Sequence, residues 1–240
     1  MIVQLRAPTG AGKSTLVHRL IEDHGGEVVD VREFTRRTRS GDEERERLKL
    51  WRCEAGLHVV GNYSRRPGES VSRGSGGDSI NGPVADEMVA YFTGLGLPHL
   101  IWESARDSSV MPKEPRLSQY RDLGVVWATL DTPAEECVRR VLRRREERGT
   151  SASGPPKSNR IEAMRRAVDR RAAEAPALGI HSVMLQWDHD PYEQLHDLLT
   201  YGGWGCRHAA DPKPRWDFSA NLAGWRPSSS PTYTRDVGSN

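Results

Sequence analysis

Ala7-Pro8-Thr9-Gly10-Ala11-Gly12-Lys13-Ser14 is the stretch that decides the fold. It keeps the spacing G-x-x-x-x-G-K-[ST], with alanine in the first position. Residues 1–6 before it form a short apolar run, and residues 14–21 after it place Leu16, Val17, Leu20 and Ile21 at helical spacing. The local order is strand, tight loop, helix. Glycine lets successive amides turn inward, and a helix begins with N–H groups that have no partner of their own, so this arrangement is an anion site. The pattern assigns Thr9, Gly10, Ala11, Gly12, Lys13, Ser14 and Thr15 to the phosphates of a nucleotide. Lys13 reaches the β and γ phosphates, and the hydroxyl of Ser14 ligates Mg²⁺. Alanine at position 7 requires a backbone that avoids positive φ.

Working outward, further short apolar runs at 27–31, 57–63, 98–103, 125–131 and 182–187 predict strands. The runs at 98–103 and 125–131 are continuous, as in strands buried on both faces of a parallel sheet. Between them lies a polar excursion with Pro112 and Pro115. Residues 35–47 read as a polar, mobile surface segment, and 65–78 as a glycine- and serine-rich loop against which substrate sits. A helix is expected from Pro83 to about residue 94. Thr132-Pro133-Ala134-Glu135-Glu136 has a capping residue, a first-turn proline and two acids, which starts a helix. That helix is interrupted at 149–157 and resumes over 160–175, forming a helical lid at about 134–175. A last helix covers 192–199. Residues 202–240 carry glycine, proline, serine and single tryptophans without periodicity, and read as an irregular C-terminal tail or wrap.

The acids that end strands are the candidates for chemistry, because ligands bind at the carboxyl ends of strands in open α/β sheets. Glu103 closes the run Leu100-Ile101-Trp102 and is a candidate to hold Mg²⁺ or to accept a hydroxyl proton. Asp78, after Gly76 and Gly77, is the other candidate base or substrate ligand, and Asp30 closes the second strand. On the lid helix Arg139, Arg140, Arg143, Arg144 and Arg145 cluster, with 140 and 144, or 139 and 143, sharing a face. A guanidinium fork stabilises charge spreading over a transferring phosphoryl group better than lysine does, which nominates this cluster for the transferred group.

Composition bounds the rest. Hydrophobic residues make up 36% and charged residues 28%, and no apolar run approaches the length of a membrane span, so no membrane role is expected. The first residues lack the features of a secretory signal, which leads to an expectation of a cytoplasmic protein. Cys53, Cys137 and Cys206 are widely spaced and odd in number, so neither a disulfide framework nor a metal knuckle is indicated.

The phosphate loop, Val59-Val60-Gly61-Asn62-Tyr63, Gly76-Gly77-Asp78, Leu100-Ile101-Trp102-Glu103 and Leu130-Asp131-Thr132-Pro133 with the arginines that follow resemble the adenylate-kinase-like P-loop kinases. More narrowly they are similar to small bacteriophage kinases, some of which phosphorylate 5-hydroxymethyluracil in DNA. The resemblance spans about residues 1–200 and implies a three-layer α/β fold with a five-stranded parallel sheet and a lid that closes on transfer. It implies a domain over 1–201 using ATP and Mg²⁺, with catalytic Lys13, Asp78, Glu103, Arg139, Arg143 and Arg144, and with Ser14 and Glu103 at the metal. For a phage protein the compartment is the host bacterial cytoplasm. The implied acceptor is DNA carrying a modified pyrimidine or a small nucleoside-like alcohol; a nucleotide-binding regulator that hydrolyses ATP is the other class. Trp204, Trp216, Phe218 and Trp225 beside Arg207, Lys213, Arg215 and Arg226 suit either stacking on single-stranded DNA or packing on the domain.

Overall fold

The computed structural model describes residues 1–37, 43–63, 87–88, 91–92, 94–104, 109, 111–147, 149 and 158–202. Its centre is a sheet of seven strands: β1 Ile2–Arg6, β2 Glu27–Arg37, β3 Glu43–Arg52, β4 Leu57–Val60, β5 His99–Ser104, β6 Val125–Leu130 and β7 His181–Leu185. Their order is β2-β3-β4-β5-β1-β6-β7. The expected five parallel strands are β4, β5, β1, β6 and β7. The other two form an antiparallel hairpin attached to the edge of β4, so the sheet is larger than expected. The segment expected to be a mobile surface stretch supplies the end of β2 and the start of β3, and Asp30 lies inside β2 and does not close it.

Five α-helices have defined bounds, α1 Lys13–Asp23, α2 Arg116–Asp122, α3 Ala134–Glu147, α4 Ser158–Glu174 and α5 Pro191–Tyr201, and residues 87, 88, 91, 92 and 94, within the helix expected to begin at Pro83, are helical as well. The excursion with Pro112 and Pro115 thus contains a short helix, α2. The two helices expected over 134–175 are present as α3 and α4; residues 150–157 between them, and those beyond residue 202, lie outside the described residues.

Alternation along the strands divides the core. Val3, Leu5, Val59, Ile101, Val126, Ala128 and Val183 face α1 and α5, where Leu16, Val17, Leu20, Leu195 and Leu198 cover them. Ile2, Val60, Leu100, Trp102, Val125 and Trp127 face the other way, onto Tyr120 of α2, onto Met88 and Phe92, and onto Phe34, Leu48 and Leu50 of the hairpin. Every residue of β5 and β6 is buried, as the continuous apolar runs required. Three layers result.

The connections fix where a ligand can bind. After β1 the chain moves to the hairpin side of the sheet, whereas after β5 it crosses β1 to reach β6 on the other side. Adjacent β1 and β5 therefore form the topological switch point, and the crevice opens at their carboxyl ends. Among the described residues no helix is long and apolar enough to cross a membrane.

Candidate functional site

Residues 7–12 leave the carboxyl end of β1 inside that crevice. Gly10 and Gly12 have φ of 91° and 106°, the left-handed region that favours glycine. Ala55 and Asp190 are the non-glycine residues with positive φ among those described, so Ala7 takes the first loop position without strain. Gly12 is the N-cap of α1. It offers no side chain to the free amides, and the first turn carries no acid. Nothing in the helix itself competes with an anion for its positive end. Lys13 is buried, and its Nζ donates to the carbonyl oxygens of Ala7 (3.0 Å) and Pro8 (3.1 Å). The ammonium is folded over the loop, at the place where phosphate oxygens would replace those carbonyls. Ser14 is half-buried, and Thr15 is exposed beside it.

Helix α3 rests directly on the loop. A Cβ at Gly10 would lie 2.4 Å from the carbonyl oxygen of Cys137, so only glycine allows α3 this close. Arg140 Nη1 and the Thr132 hydroxyl both donate to the carbonyl oxygen of Ala11, each at 3.0 Å. Thr132 therefore binds the loop, where its sequence context had suggested a helix cap. Glu136 holds Arg140 Nε at 2.6 Å and also pairs with Arg139. The side chains of Arg139 and Arg143 are 75% and 72% exposed, that of Arg140 31%. The arginine that the structure brings to the loop is thus Arg140, with half-buried Arg144 one turn further along the same face. Arg139 and Arg143 point to solvent, Arg143 near Glu147. Burial pushes the Cys137 thiol up, with Lys13 and Arg140 acting in the other direction, so this cysteine is not a ready nucleophile.

Glu103 pairs in register with Leu5, two residues before Ala7, and its side chain is fully buried. Its Oε1 accepts a hydrogen bond from the Tyr63 hydroxyl at 2.9 Å. Asp30 is distant in the topology: it sits in the hairpin, where its Oδ2 accepts from the Tyr91 hydroxyl at 3.1 Å. Asp78 lies outside the described residues.

The chemistry of these donors fits Mg²⁺ carried by a nucleotide. Magnesium takes hard oxygen ligands and keeps several waters, so it needs only one or two protein groups besides phosphate oxygens. Ser14 and Glu103 are of that kind. Among the described residues no group of three or more His, Cys, Asp and Glu side chains is placed to hold an ion unaided.

Three contributors to this region were not singled out in the sequence: Tyr63, Arg140 as distinct from its neighbours, and Arg6. The last is a fully buried cation one residue before the loop, stacked 3.6 Å over the Trp127 ring and donating to Gln4 Oε1. Helical spacing could have separated Arg140 and Arg144 from Arg139 and Arg143; nothing local marks Tyr63.

Among proteins of known name, the chain is similar to the 5-hmdU DNA kinase of Pseudomonas phage M6, with 23% identity over 188 residues, covering 78% of this chain and 91% of that protein. No protein-family model and no solved structure matches the chain.

Proposed function

We propose that the chain is an ATP-dependent kinase that transfers the γ-phosphoryl group to a hydroxyl, and that the acceptor is 5-hydroxymethyluracil in DNA. The observation that carries the kinase assignment is the uncapped, acid-free start of α1 behind a two-glycine loop, with the Lys13 ammonium folded over it. Similarity to a 5-hmdU DNA kinase across most of both chains supports the acceptor. Residues 1–201 constitute the kinase domain, and 202–240 its tail.

In the reaction an acceptor hydroxyl oxygen bonds to the γ-phosphorus while the bond from that phosphorus to the bridging β-phosphate oxygen breaks, releasing ADP. The hydroxyl proton passes to a carboxylate, Glu103 or Asp78. The loop amides and Lys13 hold the β and γ phosphates. Arg140 and Arg144 approach from the lid, and charge spreading over the transferred group is where a guanidinium fork acts best. Mg²⁺, when bound, neutralises phosphate charge, and Ser14 and Glu103 would hold it.

The test offers γ-labelled ATP and Mg²⁺ with DNA containing 5-hydroxymethyluracil, unmodified DNA, or mixed nucleosides. Label is expected in the modified DNA alone. Lys13→Ala should lower the rate by roughly 10²–10³-fold, the usual cost of removing one donor aimed at transition-state charge. Its thermal midpoint should change little, because Lys13 bonds only to loop carbonyls. Label confined to nucleosides would reassign the acceptor. ATP hydrolysis with no labelled acceptor would replace the kinase with a nucleotide-binding regulator.

A further inference from the structure

Tyr63 reaches the site by a route that is held at every step. The hairpin clamps residues 61–63: Gly61 N donates to Lys49 O at 3.0 Å, Trp51 Nε1 to Gly61 O at 3.0 Å, and Asn62 Nδ2 to Arg47 O at 2.6 Å. Gly61 has φ of 150°, and a Cβ there would lie 2.4 Å from Tyr63 Cε2, so the ring folds back against a position that only glycine leaves open. The ring is 1% exposed and meets His18 of α1 edge to face, with centroids 5.2 Å apart. Its hydroxyl is delivered to Glu103 Oε1. One phenol thus joins three parts of the crevice: the helix that starts at the phosphate loop, the acid at the end of β5, and the chain entering residues 64–86.

We infer that Tyr63 is a positioning residue for Glu103. A buried carboxylate that has to face a metal-bound water or an acceptor hydroxyl must hold one rotamer. A phenolic donor on Oε1, itself fixed by Gly61 and His18, sets the plane of the carboxyl group. This rests on the assignment of Glu103 to phosphoryl transfer.

The test is a double-mutant cycle in the full chain, using Tyr63→Phe, Glu103→Gln and the pair, read as phosphoryl transfer to the accepted substrate and as ATP turnover without acceptor. Tyr63→Phe keeps the ring and its packing. It should lower kcat by roughly ten- to a hundredfold with KM for ATP unchanged, the signature of a contact that matters in the transition state. Because Tyr63 acts through Glu103, adding Tyr63→Phe to Glu103→Gln should cost no further rate. Multiplying losses, an unchanged kcat, or a KM rise that accounts for the whole effect would overturn the proposal. If no acceptor is labelled but ATP is hydrolysed, the acceptor assignment fails while the cycle still judges Tyr63 on hydrolysis. Absence of any ATP turnover in the unaltered chain would remove both.

Discussion

A single residue on α3 separates a side chain bonded to the loop at residues 7–12 from a solvated basic face. Arg140 donates to the Ala11 carbonyl and is braced by Glu136, whereas Arg143, one turn less one residue further on, is 72% exposed beside Glu147. An exposed pair of that kind contributes little, because water and salt screen it and ordering two long side chains costs entropy. A charge-assisted contact at the rim of an anion site acts in a drier setting, where removing it is felt in the transition state. Arg140→Ala should therefore lower kcat at least about tenfold. Arg143→Ala should stay within about twofold of the unaltered chain. Steady-state kinetics on the two variants, with ATP varied at saturating acceptor, separates them. A larger loss at Arg143 would mean that α3 turns by about 60° when nucleotide binds, bringing the neighbouring stripe of the helix to the loop.

The β2–β3 hairpin carries residues 61–63 to Glu103, yet among residues 27–35 of β2 only Phe34 is buried. Phe34 meets Phe92 and Tyr91 at centroid distances of 6.0 and 6.4 Å, in one cluster with Leu48 and Leu50 of β3. Phe34→Ala should cost about 3–5 kcal/mol by the lost burial and the cavity left behind. Urea unfolding measures that loss. If the hairpin also orders the crevice, kcat should fall in the same variant at temperatures where it remains folded. The second half of β2 and the whole of β3 were hidden in the sequence for a physical reason. Every residue of the β3 run Glu43-Glu44-Arg45-Glu46-Arg47 is charged, which reads as a solvated loop. The hairpin instead sets charges opposite one another, Glu33 against Arg47 and Glu27 against Arg52, with side-chain bonds across both pairs. Each such exposed pair adds little, yet together they let a charged segment lie at a sheet edge whose buried side holds Phe34, Leu48 and Leu50, and only the register makes them visible. The parallel strands were legible because burial on both faces forces unbroken apolar runs, and the tight turn from β1 into α1 because Gly10 and Gly12 are local requirements of its backbone. Tyr63 was not, since its partner lies forty residues away.

At the scale of the molecule, the two ends of one sheet have opposite chemistry, and that separates the pH dependence of stability from that of the site. The carboxyl ends hold Glu103 and the phosphate loop. At the amino end His99 is buried next to the N-terminal nitrogen, which lies 3.3 Å from its Nδ1 and donates to Pro98 O. Burial pushes His99 down to about 4, helped by the N-terminal ammonium and His58, and pushes the N-terminal amine down to about 6. Both groups are bases whose neutral form is favoured by folding, so above their unfolded values of 6.5 and 8.0 neither costs stability. As pH falls from 6.5 towards 4 the unfolded chain takes up a proton at His99 that the folded chain refuses, and stability declines; the amine does the same between 8 and 6. Urea midpoints should therefore drop between pH 7.5 and pH 5. In His99→Gln the drop should be smaller, whatever constant offset the substitution introduces, because the comparison uses only the change with pH. An equal drop in both proteins would place the acid sensitivity in the N-terminal amine or in another histidine, such as half-buried His58. A smaller one would show that the end of the sheet remote from the phosphate loop sets the lower pH limit of the fold.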